Sequence, residues 1–142
     1  MIAIFTDGGS RGNPGQAGIG VYAVDENGKV LYAYGKAIGI ATNNVAEYSA
    51  VLQALDWLIG YLKEHPAEQV NFFLDSLLLV SQINGVYKVK NEALQKLLWL
   101  VREKEAQIKA MLRYSHIPRE KNKEADRLVN EALDKLAHLP LQ

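Results

Sequence analysis

Two short apolar segments, at 1–6 and 70–74, each run directly into an aspartate, Asp7 and Asp75. Their residues, "MIAIFT" and "VNFFL", are typical of strands. Between them, apolar residues recur at spacings of three and four over 44–63, which predicts a long amphipathic helix. Strands that are joined by a crossover helix pair in parallel. The two aspartates are therefore expected at one edge of a sheet, at the carboxyl ends of its strands, where open α/β sheets place their sites.

The remaining segments complete an alternating order of strands and helices. "DGGSRGNPGQAG" at 7–18 is dense in glycine, asparagine and proline, and it predicts a loop. Strand-like segments at 19–24 and 30–39 flank Asn27-Gly28, a hairpin signal. The elements predicted after Asp75 are a short helix over 76–85, an amphipathic helix over 91–108, a strand over 110–117 and a last helix over 122–139. This order, β-β-β-α-β-α-α-β-α, predicts a three-strand meander followed by parallel units.

The composition is that of an ordinary globular protein, and we expect residues 1–142 to form a single domain. Apolar residues make up 49% of the chain and charged residues 23%. No apolar run approaches the ~18 residues of a membrane span, and no basic-then-apolar signal peptide opens the chain. The absence of cysteine excludes disulfides, thiolate zinc sites and cysteine nucleophiles, and it fits the cytoplasmic location that we expect.

The charge is balanced overall but unevenly distributed along the chain. A formal net charge of zero argues against a protein that holds nucleic acid by a bulk positive field. Residues 1–80 carry four Lys/Arg and eight Asp/Glu, a net charge of −4, whereas residues 81–142 carry twelve and eight, a net charge of +4. Because the two halves are expected to fold together, this asymmetry is compatible with a basic face beside an acidic centre.

Two further acids lie where predicted helices begin, near the same sheet edge. Glu47 is in the first turns of the long helix, and Asp126 is about one turn into the last helix. Taken singly, Glu47 and Asp126 fit solvated helix residues, Asp7 a turn residue and Asp75 a helix N-cap. Taken together, the four carboxylates form one geometric pattern, and such a cluster repels itself unless cations occupy it. Oxygen ligands alone suit Mg²⁺ or Mn²⁺ rather than zinc.

Five motifs give the chain a family likeness: "TDGGSRGNPGQAGIG" at 6–20, "TNNVAEY" at 42–48, "FLDS" at 73–76, "NGVYKVKNEAL" at 84–94 and "HIPREKNKEAD" at 116–126. With these five motifs in this order, the chain resembles the type 1 ribonuclease H family over nearly its whole length. Its last motif is similar to that of the short bacterial and archaeal branch of the family. The resemblance implies an α/β ribonuclease H-like fold: a five-stranded mixed sheet, with a three-strand antiparallel meander plus two parallel strands, and helices on both faces. It also implies a metal-dependent endonuclease that hydrolyses the RNA strand of RNA·DNA hybrids.

By position, the resemblance assigns catalytic and metal-binding roles to Asp7, Glu47, Asp75 and Asp126. Two Mg²⁺ or Mn²⁺ ions about 4 Å apart would be held there with substrate bound, and cleavage would leave 5′-phosphate and 3′-hydroxyl ends. We expect Asp7 to bridge both ions, Glu47 and Asp75 to complete one shell, and Asp126 the other. The family's mobile histidine falls on His116, which would shuttle a proton or help product leave. Without the resemblance, a histidine between a strand and a proline fits a surface residue.

Substrate contacts are expected along the glycine-rich segment and in both asparagine-containing motifs. Glycine backbone can approach a sugar closely, and the 2′-OH distinguishes RNA from DNA. The resemblance adds minor-groove contacts from Asn13 and Asn44, with Asn43 nearby, although these asparagines alone would fit helix caps or turn residues. It also adds a DNA-phosphate pocket at Thr42 and Asn91. The expected substrate-binding residues are Gly8, Gly9, Ser10, Gly12, Asn13, Thr42, Asn43, Asn44 and Asn91.

The chain departs from the family's pattern in two places. Where relatives carry a polar residue that reads RNA, this chain has Leu77, the first of four apolar residues of which one is expected to be exposed. The segment 84–91 is too short for the basic handle of some relatives, so we expect weaker hybrid affinity with strong salt dependence. Trp57 and Trp99 are spaced like core residues and are expected to pack inside.

The expected partner is an RNA·DNA hybrid, with no membrane, no obligate protein partner and no separate hybrid-binding domain. We expect a monomer and leave a dimer open. Two other functions stay open at this point: a catalytically weak nucleic-acid-binding module of the same fold, and a different nuclease such as a junction resolvase or transposase-like enzyme. The complete set of four acids argues against the first, and the segment "TNNVAEY" against the second.

Overall fold

The structure, a computed structural model, describes residues 1–138. Within them the strands and helices follow the predicted order, β-β-β-α-β-α-α-β-α. The strands are β1 (Ile2–Gly12), β2 (Gly15–Asp25), β3 (Val30–Ala41), β4 (Gln69–Leu74) and β5 (Met111–His116). The helices are α1 (Asn43–Glu64), α2 (Leu77–Ile83), α3 (Glu92–Glu105) and α4 (Lys123–Ala137), and a 3₁₀ turn (Arg119–Lys121) precedes α4. The last predicted helical residue, Leu139, and the rest of the expected domain up to residue 142 lie outside the described residues.

All five strands form one mixed sheet in the order β3-β2-β1-β4-β5. β1, β2 and β3 make the antiparallel meander, and β4 and β5 extend the sheet in parallel with β1. In the central parallel pair, Thr6 lies opposite Leu74, so that the next residues, Asp7 and Asp75, lie at the same level of the sheet. The predicted fold class and the predicted neighbourhood of these two aspartates are therefore confirmed.

The glycine-rich segment is extended strand rather than the predicted loop. β1 continues through Asp7 to Gly12, and β2 begins at Gly15, so only Asn13 and Pro14 form the turn. Gly12 has a φ of +95°, which glycine adopts without steric penalty. The prediction was wrong because cross-strand hydrogen bonds to β2 stabilise an extended backbone that glycine favours poorly by itself. The extension carries the residues after Asp7 beyond the end of β4.

Helices cover both faces of the sheet, as predicted. Successive residues of a strand point to opposite faces, and directly paired residues point to the same face. A side chain at Gly8 would run into α1, whereas a side chain at Gly20, which pairs with Asp7, would run into the backbone of Ala125 in α4 at 2.2 Å. α1 and α4 therefore lie on opposite faces, and Asp7 points towards the face covered by α4.

The core lies between the sheet and α1, with α3 packed on the outside of α1. Trp57 packs in a stack of rings with Tyr32 and Tyr61, which confirms its predicted packing role. The same prediction for Trp99 is wrong, because its side chain is 63% exposed. The buried positions of α3 are Leu94 and Val101, seven residues apart on one face, and Trp99 lies off that face.

The apolar run that begins α2 divides between core and solvent. Leu79 and Val80 are buried, whereas Leu77 and Leu78 are 56% and 44% exposed. Two residues are therefore exposed where one was expected, because a seven-residue helix lying on the sheet can bury only one side. Among residues 1–138, no helix is both long and apolar enough to cross a bilayer.

Candidate active site

Three carboxylates meet at the sheet edge where β1 and β4 end. One carboxylate oxygen from each of Asp7, Glu47 and Asp75 lies within 4.8 Å of the other two. Asp7 and Glu47 are each only 8% exposed, so the interpretation of Glu47 as a solvated helix residue is wrong. The N-cap interpretation of Asp75 is also wrong, since the Ser76 hydroxyl accepts the hydrogen bond from the Leu79 amide at the start of α2.

Asp126 lies on the same cavity beside Asp7, although it is not within 4.8 Å of all three of these acids. It lies in the first turn of α4, half-buried, and it lines a cavity of about 510 Å³ together with Asp7, Glu47 and Asp75. Its carboxylate is near enough to Asp7 to act on the pKa of that residue. The structure thus brings the four predicted carboxylates to one cavity, with three of them within 4.8 Å of one another and Asp126 beside Asp7.

The buried acids are held in an unfavourable electrostatic environment. Burial, followed by the charges of Asp75 and Asp126, raises the pKa of Asp7 to about 7. Burial, followed by the charges of Asp7 and Asp75, raises the pKa of Glu47 well above its usual range. These shifts follow from removing carboxylates from water and placing them beside one another. A cation in the cavity would lower the pKa of both carboxyl groups.

The donors present fit a hard divalent cation. Oε2 of Glu47 is completely buried and has no hydrogen-bond partner among residues 1–138, although a buried carboxylate oxygen requires a proton donor or a cation. The neighbouring ligand atoms are all carboxylate oxygens, which suit Mg²⁺ or Mn²⁺. Asp7, Glu47 and Asp75 can thus hold a cation, and Asp126 is placed to help.

The strand extension after Asp7 is locked to the start of α1 by hydrogen bonds. The backbone amide and hydroxyl of Ser10 donate to Oδ1 of Asn43 at 2.9 and 3.1 Å. The amide of Asn43 donates in turn to Oδ1 of Asn13 at 3.0 Å. Asn43 is therefore not the helix cap that its sequence context suggested, because the cap of α1 is Thr42.

The expected substrate residues separate into two neighbouring places. Gly8, Gly9, Ser10, Asn43 and Asn44 line the carboxylate cavity, and Gly12 lies at the hairpin turn. A second pocket of about 300 Å³ is lined by residues from three separate segments, which include Asn13, Thr42, Asn44 and Asn91. The chain thus places the two predicted phosphate-pocket residues, Thr42 and Asn91, together.

His116 lies near this site without entering it. It is the last residue of β5, pairs with Leu74 of β4 and is exposed. Leu74 directly precedes Asp75, which puts His116 at the same sheet edge, but the carboxylate cavity is lined by other residues. The structure therefore brings His116 alongside the acids and not into contact with them.

Arg11 and Asn122 belong to this region but were not among the expected site residues. Arg11 lines the carboxylate cavity and pairs with Asp134 of α4 at 2.6 Å. Asn122 is 1% exposed and donates from its side chain to Asp75. The sequence offered one signal for Asn122, its place in the motif "HIPREKNKEAD" four residues before Asp126, but an asparagine directly before a helix also fits a cap.

Comparisons with known proteins agree with this geometry. The model of the family described as "Reverse transcriptase-like" matches residues 5–132. A bifunctional protein of Mycobacterium tuberculosis is 41% identical over 96% of the chain, which spans only 36% of the length of that relative.

Solved structures are similar over nearly their whole length. LC11-RNase H1, isolated from compost and crystallised with an RNA/DNA hybrid, is 45% identical, covers 96% of this chain and 99% of its own, and has a TM-score of 0.92. RNase H1 of the archaeon Halobacterium salinarum is 34% identical, covers 94% of this chain and 98% of its own, and has a TM-score of 0.85. With the family match, the shared sheet order and the gathered acids, these similarities show that the chain belongs to the type 1 ribonuclease H family.

Proposed function

We propose that this protein is a metal-dependent endoribonuclease that hydrolyses the RNA strand of RNA·DNA hybrids and leaves 5′-phosphate and 3′-hydroxyl ends. The observation that carries the proposal is the meeting of Asp7, Glu47 and Asp75 within 4.8 Å, with Asp126 on the same cavity. Four acids gathered in one cavity destabilise a protein unless they bind cations. The crystal complex of LC11-RNase H1 with an RNA/DNA hybrid supports the choice of substrate.

The four carboxylates would hold two Mg²⁺ or Mn²⁺ ions when substrate is bound. Divalent cations in such a site lower the pKa of an attacking water and neutralise the departing 3′ oxygen of the phosphodiester. The chain contributes acids that are already assembled and largely desolvated, since Asp7 and Glu47 are each 8% exposed. Asp7 would be the acid shared by both ions, because it lies on the central strand, belongs to the group with Glu47 and Asp75, and lines the same cavity as Asp126.

The strand extension and the start of α1 would read the RNA strand. Gly9 is half-buried on the carboxylate cavity and would let a ribose approach the backbone beside the acids closely, whereas Gly8 is buried against Ala46. Polar groups of Asn13, Asn43 and Asn44 would meet the minor groove, where the 2′-OH identifies RNA. Asn43 and Asn13 are preorganised for this by their hydrogen bonds to Ser10 and to each other.

Thr42 and Asn91 would bind a phosphate of the DNA strand. Each caps a helix with its side-chain oxygen: Thr42 accepts from the Val45 amide and Asn91 from the Leu94 amide. Capping uses only an acceptor, so the Thr42 hydroxyl proton and the Asn91 amide protons stay available as donors. Two helix N-termini also converge on this pocket, and helix N-termini favour anions.

His116 would act in proton handling or product release without holding a cation. Its exposed position at the end of β5, paired with the residue directly before Asp75, puts it at the sheet edge that carries the acids. Histidine exchanges protons near neutral pH, which suits both roles.

Cleavage assays with end-labelled RNA·DNA hybrid, RNA duplex and DNA duplex test the proposal, each with Mg²⁺, Mn²⁺ or chelator. We expect cleavage of the hybrid's RNA strand with either ion, none in chelator, and none with Asp7→Asn. Binding of the hybrid without cleavage by the wild-type protein would instead support a nucleic-acid-binding module. Cleavage of DNA duplex in preference to hybrid would support a different nuclease.

A further inference from the structure

Asn122 connects three of the four elements that carry the acids. Its Nδ2 donates to the Thr6 carbonyl of β1 at 2.9 Å and to Oδ2 of Asp75 at 3.0 Å. The backbone carbonyl of Asn122 accepts a hydrogen bond from the Asp126 backbone amide at 3.1 Å, at the start of α4. Thr6 directly precedes Asp7. The side chain of Asn122, a residue only 1% exposed, thus contacts Asp75 and the backbone beside Asp7, and the backbone of Asn122 contacts Asp126.

The orientation of this amide follows from its neighbours. Both groups that the side chain meets, a carbonyl and a carboxylate, are acceptors only. The amide must therefore present its nitrogen to them, and both of its protons are used. A hydrogen bond to a carboxylate is stronger than one between neutral groups, and it holds Oδ2 of Asp75 in one place.

Helix stability does not account for this arrangement. Asparagine at an N-cap usually accepts from an amide of the first turn, but the Asn122 side chain at the start of α4 makes no such bond. Its Oδ1 is buried and has no hydrogen-bond partner among residues 1–138. The side chain thus gives up capping and leaves a polar atom unpaired while it donates to Asp75 and β1. A residue that served only α4 would turn its oxygen towards the helix.

We propose that Asn122 is a positioning residue for the carboxylate cluster. It holds the Asp75 carboxylate by one oxygen, and its hydrogen bond to the Thr6 carbonyl sets the start of α4, with Asp126, against β1. Substitution of a residue that hydrogen-bonds to a metal ligand commonly lowers metal affinity or activity by about 10- to 100-fold. This inference rests on the proposed function: its kinetic part requires cleavage of the hybrid, whereas its cation-binding part requires only the proposed metal site.

The test compares Asn122→Ala with a matched control, Asn84→Ala. Asn84 also donates its side-chain amide to a backbone carbonyl, that of Tyr114 at 3.0 Å, but it contacts no acid of the cluster. Mg²⁺ affinity of the free protein is measured by titration calorimetry well below the melting temperature of each variant. We expect Asn122→Ala to weaken Mg²⁺ binding about tenfold or more. Asn84→Ala should keep the wild-type affinity even if it lowers the melting temperature.

Kinetics on RNA·DNA hybrid then separate positioning from general loss of stability. Asn122→Ala should lower kcat about tenfold or more while KM changes less than about twofold. Unchanged Mg²⁺ affinity and kcat in a folded Asn122→Ala would overturn the inference. If the wild-type protein cut no hybrid, the proposed function would fail, but the Mg²⁺ titration would still decide the role of Asn122.

A measurement on the wild-type protein covers the case in which Asn122→Ala does not fold. The side-chain amide signals of Asn122 and Asn84 are followed by NMR during addition of Mg²⁺. We expect the Asn122 signals to shift with the same affinity as the backbone amide of Asp75, and the Asn84 signals to stay in place. Asn122 signals that do not respond to Mg²⁺ would contradict the inference.

Discussion

The backbones of Gly8 and Ala46 are in direct contact: a Cβ added to Gly8 would lie 2.2 Å from the carbonyl oxygen of Ala46. Gly8 follows Asp7 in β1, and Ala46 precedes Glu47 in α1. The close approach of strand and helix therefore determines the distance between the two most buried acids of the site. Because a methyl group is too large for this space, glycine is required at position 8.

Gly8→Ala is expected to push α1 away from β1 and to separate Asp7 from Glu47. Overpacking of this kind destabilises proteins by about 1 to 3 kcal/mol, and we expect cleavage of RNA·DNA hybrid to be lost. Thermal unfolding and a cleavage assay below the melting temperature check both effects. Gly60→Ala is the matched control, because a Cβ there would have no neighbour within 4 Å and Gly60 lies far along α1 from the acids. Equal stability and activity of the two variants would contradict the close-contact interpretation.

Asp7→Asn is expected to abolish cleavage and to stabilise the metal-free protein at alkaline pH. Folding raises the pKa of Asp7 from 3.8 to about 7, so the folded protein binds a proton that the unfolded chain releases. The associated stability is fully present below about pH 4 and is lost as the pH rises through about 7. In chelator at pH 8, Asn should therefore add roughly 1 to 3 kcal/mol. The gain should vanish near pH 4 in unfolding experiments; an equal gain at both pH values would contradict the electrostatic cause.

Asp126→Asn tests whether Asp7, Glu47 and Asp75 can bind a cation without the fourth acid. Because Asp7, Glu47 and Asp75 meet without Asp126, part of the Mg²⁺-dependent thermal stabilisation should survive this substitution, whereas Asp7→Asn should remove it. At 100 times the dissociation constant, a bound ligand stabilises a protein by about 2.7 kcal/mol. Glu131→Gln, an exposed acid on the same helix, serves as the control for lost charge. Complete loss of the Mg²⁺ effect in Asp126→Asn would show instead that the four acids act as one set.

Thr42→Ala should weaken hybrid binding as well as the cap of α1. Loss of the cap alone lowers stability by about 1 kcal/mol. Loss of the hydroxyl donor to a phosphate should raise KM about fivefold or more, with kcat nearly unchanged. Thr42→Ser retains both the acceptor and the donor, so it should restore both properties. A wild-type KM in Thr42→Ala would show that this side chain only caps the helix.

His116→Ala should slow turnover without stopping it. The side chain lies outside the carboxylate cavity, so cation binding should not change. We expect kcat to fall about 10- to 100-fold, at or below the low end for general acid–base catalysis. His65→Ala is the control, because His65 is an exposed histidine at the far end of α1, stacked on Tyr61. Activity in His116→Ala equal to that in His65→Ala would remove His116 from the mechanism.

Periodicity and turn chemistry predicted most of the fold. The hairpin at Asn27-Gly28 is present, with Gly28 at a φ of +82° and Asp25 accepting two amides across the turn. The alternation of strands and helices also placed Asp7 and Asp75 at one edge correctly. The glycine-rich composition of residues 7–12 wrongly predicted a loop, because hydrogen bonds to β2 hold this part of β1 as a strand. Spacing failed at Trp99, because a short helix packed on one side leaves even large apolar residues in solvent.

The sequence by itself determined the order of elements, the sheet edge that carries the acids and the family to which the chain belongs, because these follow from patterns between near neighbours. Only the tertiary structure decided how the acids meet. The contact of Gly8 with Ala46, the side position of Asp126 and the donation from Asn122 to Asp75 all join residues that are distant along the chain. Local propensities act over a few residues, whereas distances of a few ångströms between such residues are set by how whole helices pack on the sheet.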